Sequence, residues 1–565
     1  MPTITVIKND LEKLLKKKLT INKLEEYLKW VKGEVKGFDE KTDEIKIELN
    51  DSNRPDLWCC EGIARQIRWR LSNKKEAYSF LKAKKIKDEI IVSKELKDIR
   101  PHVAACTAKG IKVTEDILTQ LIQTQEKLSY IFGRKRQGIA IGVYNLERIT
   151  FPVYYKAVRP DEVSFVPLGF EKKMNLNEIL TVHPKGKEFG GILKGKGMYP
   201  ILIDKEDKIL SFPPIINSRD IGEVKVGDEN LFIEVTGTDI RLVILAINIM
   251  AVNLFDRGAE IEPILVKYPY ATEFGRMTQT PLDLTATLNV AHNEIEKALG
   301  EVWKDKDIKT CLSSYGYDIK IKNKRISVKA PCFRDDLMHP IDVVEDLAIS
   351  RGYDTFKPVM PHHFTVGSLS DIEFLSDRIR EEFVGLGFQE VISNILTSKD
   401  ELLTKMNLAD EKLVEISNVM SESYSVLRNS LVPSLLRVEA ESSKAFYPHK
   451  VFEVGEAGVC DEKDDTGSRT ILNASALIAH PNANFSEMHS YLDLLLYYLA
   501  LEYNLEPAAH PSFIDGRVGR IIIGNEDLGL IGELHPAALE RWGINCPCAA
   551  LEISVDRILK IKRGI

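Results

Sequence analysis

The sequence has few cysteines, no excess of basic residues and no long hydrophobic run, and each absence excludes a class of protein. Eight cysteines among 565 residues are too sparse for a disulfide scaffold, and their spacings match no zinc pattern. A net charge of −7, from 77 Lys and Arg against 84 Asp and Glu, argues against coating nucleic acid by bulk charge. The longest apolar stretch, Leu242–Phe255, contains two asparagines and is shorter than the roughly 20 residues that span a bilayer. We see no secretory signal and expect a reducing, cytoplasmic location.

The composition is that of an ordinary globular chain, with 44% hydrophobic and 28% charged residues. Predicted helices and predicted short antiparallel strands occupy different stretches of the sequence, and this arrangement predicts a multidomain α+β fold. In the last part, a helix over 371–386 should precede short strands that include QEVISNIL (389–396). Asp56 is placed to cap a helix in the first part. Length and changes of pattern predict four domains, with a lysine-rich linker after the first: 1–85, 90–269, 271–355 and 364–565.

The segment RDDLMHPIDVVEDLAISRGY (334–353) predicts a helix with carboxylates on one face. Asp342, Glu345 and Asp346 are spaced i, i+3 and i+4, and Asp336 could fold back over the helix start. Four converging carboxylates without a cation would repel one another, and magnesium takes such oxygen ligands. The alternative is that these acids only favour a helix N-terminus, at roughly 0.3–1 kcal/mol each. Spacing alone favours this alternative.

Several collinear segments resemble the β subunits of phenylalanyl-tRNA synthetases of the archaeal and eukaryotic-cytosolic type. The similarity covers essentially the whole chain, which makes it far more specific than any single motif. The segments are DSNRPDLWCCEGIARQIR (51–68), RKRQGIAIGVYNLERI (134–149), FVPLGFEKKMNLNEIL (165–180), HPKGKEFG (183–190), FPPIINSRDIG (212–222), FIEVTGTD (232–239), the acidic segment above, NVMSESYSVLRNSLVPSLL (418–436) and KVFEVGEAG (450–458).

This resemblance implies two sites. The first is a magnesium site whose ligands are Asp336, Asp342, Glu345 and Asp346. The second is an editing pocket in the second domain, which hydrolyses tyrosine mis-attached to tRNA(Phe). The residues implied to line it are Leu202, Ser211, Glu234 and Thr236. A helix that begins near Asp239 would present its first amide N–H groups beside Thr236, to an ester carbonyl or a phosphate.

The resemblance also implies that the last domain is a class II aminoacyl-tRNA synthetase-like fold and that the third is a B5-type domain. The strand HKVFEVGEAG (449–458) has no arginine to hold ATP phosphates, and Arg541 lies outside any Gly-x-Gly-x-Gly-x-x-Arg motif. The chain should therefore not activate phenylalanine itself. The implied partner is an α subunit that carries the ATP-dependent step, in an (αβ)₂ heterotetramer. The helix face of Leu375, Ile379 and Phe383 is expected to be covered by a partner.

The best candidate for a contact with tRNA phosphates is the basic cluster Arg134, Lys135 and Arg136. Most such clusters are solvated faces only. Two alternatives to the synthetase subunit come from other functional classes: a stand-alone magnesium-associated aminoacyl-tRNA deacylase and a non-catalytic tRNA-binding scaffold. Co-purification with a partner would favour the synthetase subunit over the stand-alone deacylase. The absence of deacylation activity would favour the non-catalytic scaffold.

Overall fold

The computed structural model describes residues 2–50, 53–83, 86–442 and 444–564. The chain divides into two compact units, 1–359 and 360–565. The first three predicted domains fall in the first unit and the fourth in the second. The predicted lysine-rich linker and the start of the motif at 51–68 lie partly outside the described residues. Among the described residues, no helix is long and apolar enough to cross a bilayer.

The first unit begins with a three-stranded antiparallel sheet in the order β1-β3-β2, packed against three helices. Apolar residues alternate in β1 and β3, and the buried ones face the helices. Cys59 is the N-cap of α3, whereas Asp56 binds Arg54; the predicted Asp56 cap is wrong. The elements are β1 (Thr3–Ile7), α1 (Lys8–Leu15), α2 (Ile21–Leu28), β2 (Gly33–Asp39), β3 (Glu44–Leu49) and α3 (Cys60–Ser72).

A ten-stranded sheet follows, in the order β12-β11-β10-β7-β4-β14-β5-β13-β6, with β15 paired to β14. The apolar helix α8 packs on β5 and β13 and buries most of its length. The elements are β4 (Glu89–Val92), β5 (His102–Lys109), α4 (Glu115–Lys127), β6 (Ile139–Asn145), β7 (Val153–Val158), β8 (Ser164–Phe165), β9 (Met174–Asn175), α5 (Leu176–Val182), α6 (Pro184–Phe189), β10 (Tyr199–Ile203), β11 (Ile209–Phe212), β12 (Ile216–Asn217), α7 (Arg219–Gly222), β13 (Leu231–Gly237), α8 (Ile240–Asp256), β14 (Glu260–Thr272) and β15 (Gly275–Thr280).

The first unit ends with a small α+β module whose sheet has the order β16-β18-β17. Its core includes Val343, Val344 and Leu347 from the predicted acidic helix, which forms as α11. The elements are β16 (Thr287–Ala291), α9 (His292–Leu299), α10 (Asp305–Ser313), β17 (Asp318–Lys322), β18 (Arg325–Lys329) and α11 (Pro340–Arg351).

The second unit has a seven-stranded sheet in the order β19-β22-β23-β27-β26-β25-β24, in which only the β19–β22 pair is parallel. A separate short pair joins β20 to β21. The elements are α12 (Asp371–Gly385), β19 (Gln389–Glu390), β20 (Leu396–Thr397), β21 (Val426–Leu427), α13 (Val432–Glu441), β22 (His449–Cys460), β23 (Ser468–Ala479), α14 (Phe485–Tyr498), β24 (Asn504–Pro507), β25 (Phe513–Ile523), β26 (Glu526–Leu534), α15 (Pro536–Trp542), β27 (Cys548–Ser554) and α16 (Val555–Arg563).

Two predictions for this unit need correction. The segment 389–396 is not one strand, because only its two ends pair with neighbours. The face of Leu375, Ile379 and Phe383 is buried in the core of the unit, where these residues pack beneath the sheet. The exposed apolar side chains of α12 include Phe374 and Val384, which lie outside this buried face.

Candidate functional site

The four residues implied to form the editing pocket lie on strands of the ten-stranded sheet. Leu202 on β10 pairs with Ser211 on β11, and Glu234 and Thr236 lie two residues apart on β13. Side chains two residues apart in a strand share one face of the sheet. β13 is paired on both sides, with β5 and β6, so the backbone that carries Glu234 is held rigidly. All four side chains are buried.

A cavity of about 390 Å³ opens over two of these four residues, Ser211 and Glu234. Its other walls are mostly apolar, from α4, from β6 and from the turn after β11 that contains the dipeptide Pro213-Pro214. Leu202 instead packs in the apolar core of the sheet, and Thr236 contacts a buried arginine. This volume is in the range of small-molecule sites, about 300–1,000 Å³.

Glu234 is the only one of the four residues with an ionisable side chain, and its two oxygens have different environments. Oε1 accepts a 2.9 Å hydrogen bond from the Tyr144 hydroxyl. Oε2 is buried and has no hydrogen-bond partner in the described part of the chain, and neither does the Ser211 hydroxyl. Burial raises the pKa of Glu234 to about 7, against the lowering effects of the Tyr144 bond and of Arg100. Burial of a carboxylate disfavours its charged form.

Thr236 is fixed by Arg100, which the sequence did not single out. The Arg100 guanidinium donates from Nε to the Thr236 hydroxyl at 3.1 Å and from Nη2 to its carbonyl at 2.7 Å. Arg100 is 1% exposed, and burial lowers its pKa to about 10. Thr236 is therefore a structural residue behind the cavity. Arg100 lies just before β5, and no sequence motif surrounds it. Only the folded structure therefore reveals that it holds Thr236.

Two of the first amides of α8 already have a side-chain partner. The Asp239 carboxylate caps this helix and accepts hydrogen bonds from the amides of Arg241 at 2.8 Å and Leu242 at 3.3 Å. The helix start is as predicted, but its first donors are occupied by this side chain. An anionic cap also opposes a second negative charge at the same place.

The basic cluster divides into two parts. Arg134, Lys135 and Arg136 have consecutive left-handed backbone angles, with φ of 49°, 53° and 66°. Arg136 turns inward, donates to the carbonyls of Pro214 and Ile215 at 3.0 and 2.8 Å, and lines the cavity. Arg134 and Lys135 are exposed. Three such residues in a row are costly, and strain of this kind is common at functional sites.

Each of the four carboxylates implied to bind magnesium has a protein partner, and two of them share one arginine. Arg334 binds Asp336 through two hydrogen bonds of 2.9 and 2.5 Å. It also binds Asp346, which accepts a second hydrogen bond from Tyr317 at 2.6 Å. Burial would raise the pKa of Asp336, but the charge of Arg334 outweighs it and lowers this pKa. A guanidinium therefore occupies the place between these two carboxylates.

The other two predicted ligands face elsewhere. Asp342 caps α11 by accepting from the amides of Met338 at 2.8 Å and His339 at 2.7 Å. Glu345 forms an ion pair with Lys32. Among the described residues, no group of three metal-ligating side chains comes together. In this arrangement the four carboxylates do not fit one shared magnesium ion, because that ion would have to displace Arg334.

In the second unit, the buried side chain of Arg428 contacts β22, the strand in which the sequence offers no arginine for ATP phosphates. Arg428 forms a 2.8 Å ion pair with Glu453 of β22 and donates to the Glu456 carbonyl at 2.8 Å. A Cβ on Gly455 would lie 2.5 Å from the Arg428 side chain, so this glycine makes room for it. Arg541 donates to the Thr404 carbonyl. Both arginines thus have structural partners.

Comparisons with known proteins point to one family. Residues 357–555 match a family model described as the phenylalanyl tRNA synthetase beta chain CLM domain, and residues 288–353 match the tRNA synthetase B5 domain. The phenylalanine–tRNA ligase beta subunit of Borrelia turicatae is 39% identical over 564 residues, which cover 99% of this chain and 100% of the relative. That of Thermococcus kodakarensis is 39% identical over 570 residues, with 98% of each chain covered.

A solved structure points to the same family. The crystal structure of an N-terminal fragment of the phenylalanyl-tRNA synthetase beta-subunit from Pyrococcus horikoshii superposes with a TM-score of 0.58 at 38% identity. The match covers 62% of this chain and 99% of the fragment.

Proposed function

Because this chain belongs to the family of phenylalanine–tRNA ligase β subunits, we propose that it works with an α subunit and removes tyrosine attached in error to tRNA(Phe). The α subunit carries out the ATP-dependent attachment of phenylalanine. The β chain hydrolyses the wrong product: water adds to the carbonyl carbon of the tyrosyl ester, the bond to the ribose oxygen breaks, and that oxygen leaves with a proton. We propose an (αβ)₂ assembly that works on tRNA in the cytoplasm.

The observation that carries this proposal is the pair of unpartnered polar groups in the cavity, Glu234 Oε2 and Ser211 Oγ. A hydrophobic synthetic site rejects a substrate that merely adds a hydroxyl by only about 10²-fold. A second site with a buried acceptor selects the opposite way, because phenylalanine leaves that acceptor unpaired and tyrosine does not. The test is deacylation of Tyr-tRNA(Phe) and Phe-tRNA(Phe) by the assembled complex, with faster release of tyrosine expected. Equal rates for the two esters would reject an editing role.

The second unit supports a non-activating scaffold with a class II synthetase-like fold. Its antiparallel sheet is flanked by helices, and the arginines near its signature-like segments bind protein groups instead of phosphates. We place the tRNA phosphate contact at the exposed pair Arg134 and Lys135, because Arg136 is part of the cavity wall.

The purified chain alone is expected to give no phenylalanine-dependent exchange between pyrophosphate and ATP. The physical reason is the absence of a free arginine to bind the phosphates on β22. Exchange is expected to appear on adding the α subunit, which serves as the positive control. Exchange by the chain alone at a rate comparable with the complex would contradict the assignment.

Magnesium at α11 stays a prediction, and the variant Asp342→Ala/Glu345→Ala tests it. If the ion binds there, its affinity in calorimetric titrations of the full chain should fall by about tenfold or more, because two oxygen ligands are removed. A matched control is Asp305→Ala/Asp307→Ala, which removes two exposed carboxylates from α10 in the same module. Unchanged affinity in the first variant would place any bound magnesium elsewhere.

A further inference from the structure

The Tyr144 phenol is completely buried, and its hydroxyl contacts the carboxylate of Glu234. Its hydroxyl donates to Glu234 Oε1 at 2.9 Å and lies 3.5 Å from the Asn217 side-chain oxygen. Tyr144 itself has no exposed surface, and Glu234 is 2% exposed. A phenol hydroxyl has one proton to donate, and the carboxylate is its closer acceptor.

The backbone is built to allow this contact. Gly142 lies opposite Glu234 across the β6–β13 pair, and Tyr144 follows two residues later on the same face. A Cβ at position 142 would lie 2.2 Å from the Tyr144 oxygen and 2.5 Å from Glu234 Oε1. Glycine is required here for space, since any side chain would separate the phenol from the carboxylate.

The two oxygens of Glu234 are therefore not equivalent. One is filled by a phenol of the protein, and the other is buried without a partner at the edge of the cavity. We propose that Tyr144 is a specificity-determining residue: by occupying Oε1 it fixes the carboxylate and leaves Oε2 as its acceptor for a second phenol, that of a tyrosyl ester. This inference rests on the proposed editing function and assigns its selectivity to a pair of residues.

Tyr144 also sets the charge of the acceptor. Its hydrogen bond lowers the pKa of Glu234, whereas burial raises it, and the balance lies at about 7. An ionised Oε2 accepts only, and charged hydrogen bonds are stronger than neutral ones. Selectivity for the hydroxyl should thus rise with pH through neutrality. The other groups around this carboxylate are Arg100 and Tyr155 in the sheet and Glu126, Arg136, Lys185 and Glu223 on the cavity wall.

The test compares binding to the full chain alone, where the synthetic site of the α subunit does not contribute, with hydrolysis by the assembled complex. Binding of L-tyrosinamide and L-phenylalaninamide is measured by calorimetry, and deacylation of Tyr-tRNA(Phe) and Phe-tRNA(Phe) is measured from pH 5.5 to 9. In Tyr144→Phe we expect the preference for tyrosine to fall by about tenfold or more at pH 7. Its midpoint should move to higher pH, because the lowering hydrogen bond is lost.

Two further variants separate this role from a structural one. Tyr268→Phe removes another buried hydroxyl, which donates to the Val103 carbonyl at 2.7 Å, and it should leave both preference and midpoint unchanged. With 3-fluorotyrosine at position 144 the hydroxyl is kept but becomes a stronger donor, so the midpoint should move to lower pH. Loss of packing cannot produce shifts in opposite directions.

The outcomes distinguish a failure of the proposed editing function from a failure of the proposed role of Tyr144. If the wild type prefers tyrosine and the position 144 variants keep both its preference and its midpoint, Tyr144 has no role in specificity. If the wild type binds tyrosinamide selectively but releases no tyrosine from tRNA, the editing function fails and the assignment of Tyr144 stands as a binding role. If the wild type binds both amides equally, the inference is wrong.

Discussion

Replacing Glu234 with alanine is expected to abolish most of the hydrolysis of Tyr-tRNA(Phe) while phenylalanine attachment continues at the wild-type rate. The variant loses the Oε2 acceptor, which is buried and has no hydrogen-bond partner among the described residues. A hydrogen bond to a charged group contributes about 1.5–3 kcal/mol, which corresponds to roughly a 10- to 100-fold loss of kcat/KM. The measurement is deacylation of preformed Tyr-tRNA(Phe) by the complex, followed by accumulation of that product during aminoacylation.

A matched control is Glu126→Ala. Glu126 also lines the cavity and has the same type of side chain, but it is exposed on α4. This variant should hydrolyse Tyr-tRNA(Phe) at nearly the wild-type rate. If Glu126→Ala and Glu234→Ala lose activity equally, the effect is one of cavity charge and Glu234 is not a specific acceptor. If neither loses activity, the cavity is not the hydrolytic site.

Replacing Arg334 with alanine is expected to give a large loss of stability in the first unit. Arg334 is 3% exposed and neutralises two carboxylates that are themselves buried, Asp336 and Asp346. Removing one partner of a buried ion pair costs about 3–5 kcal/mol, because an unpaired charge stays behind. Hydrogen exchange of the full chain should show this as a lower opening free energy for the amides of α11.

Arg325→Ala is the control for this measurement, since Arg325 is exposed on β18 of the same module. Exposed substitutions of this kind usually change stability by less than about 0.5 kcal/mol. Adding magnesium chloride gives a further comparison. Recovery of exchange protection in Arg334→Ala would mean that the ion can replace the guanidinium between the two carboxylates. Unchanged protection of α11 without magnesium would contradict the role of Arg334.

The acidic helix illustrates what the sequence can and cannot predict. The helix itself and its buried side were predicted correctly, because Val343, Val344 and Leu347 repeat at helical spacing. The partners of the carboxylates were not predictable from spacing. Glu345 binds Lys32, more than three hundred residues earlier in the chain, and a guanidinium two residues before Asp336 takes the place expected for an ion. Charge pairing across modules follows from tertiary structure alone.

At the candidate editing site, too, some features are predictable from the sequence and others depend on tertiary structure. Glu234 and Ser211 were reached through resemblance, and the structure brings both to one cavity. Tyr144 lies inside the quoted segment RKRQGIAIGVYNLERI, where the alternation of Gly142 and Tyr144 in a strand was the available signal. Its meaning depends on register, because only pairing of β6 with β13 sets Gly142 opposite Glu234. Register is set by the fold as a whole and is not read from one segment.

The central strand β14 has a consequence for how the chain is made. It pairs with β4 in parallel, with β5 and with β15. β4 and β5 also pair with the nearer strands β7 and β13, but one edge of each finds its partner only when β14 is made. Contacts between residues so distant in sequence form slowly, because a long loop must close first. During synthesis, β4 and β5 leave the ribosome well before β14, and their unpaired edges are open to wrong partners in that interval. The cavity at Glu234 is lined by residues from α4 to β13, so it can form only after the chain has been translated through β13.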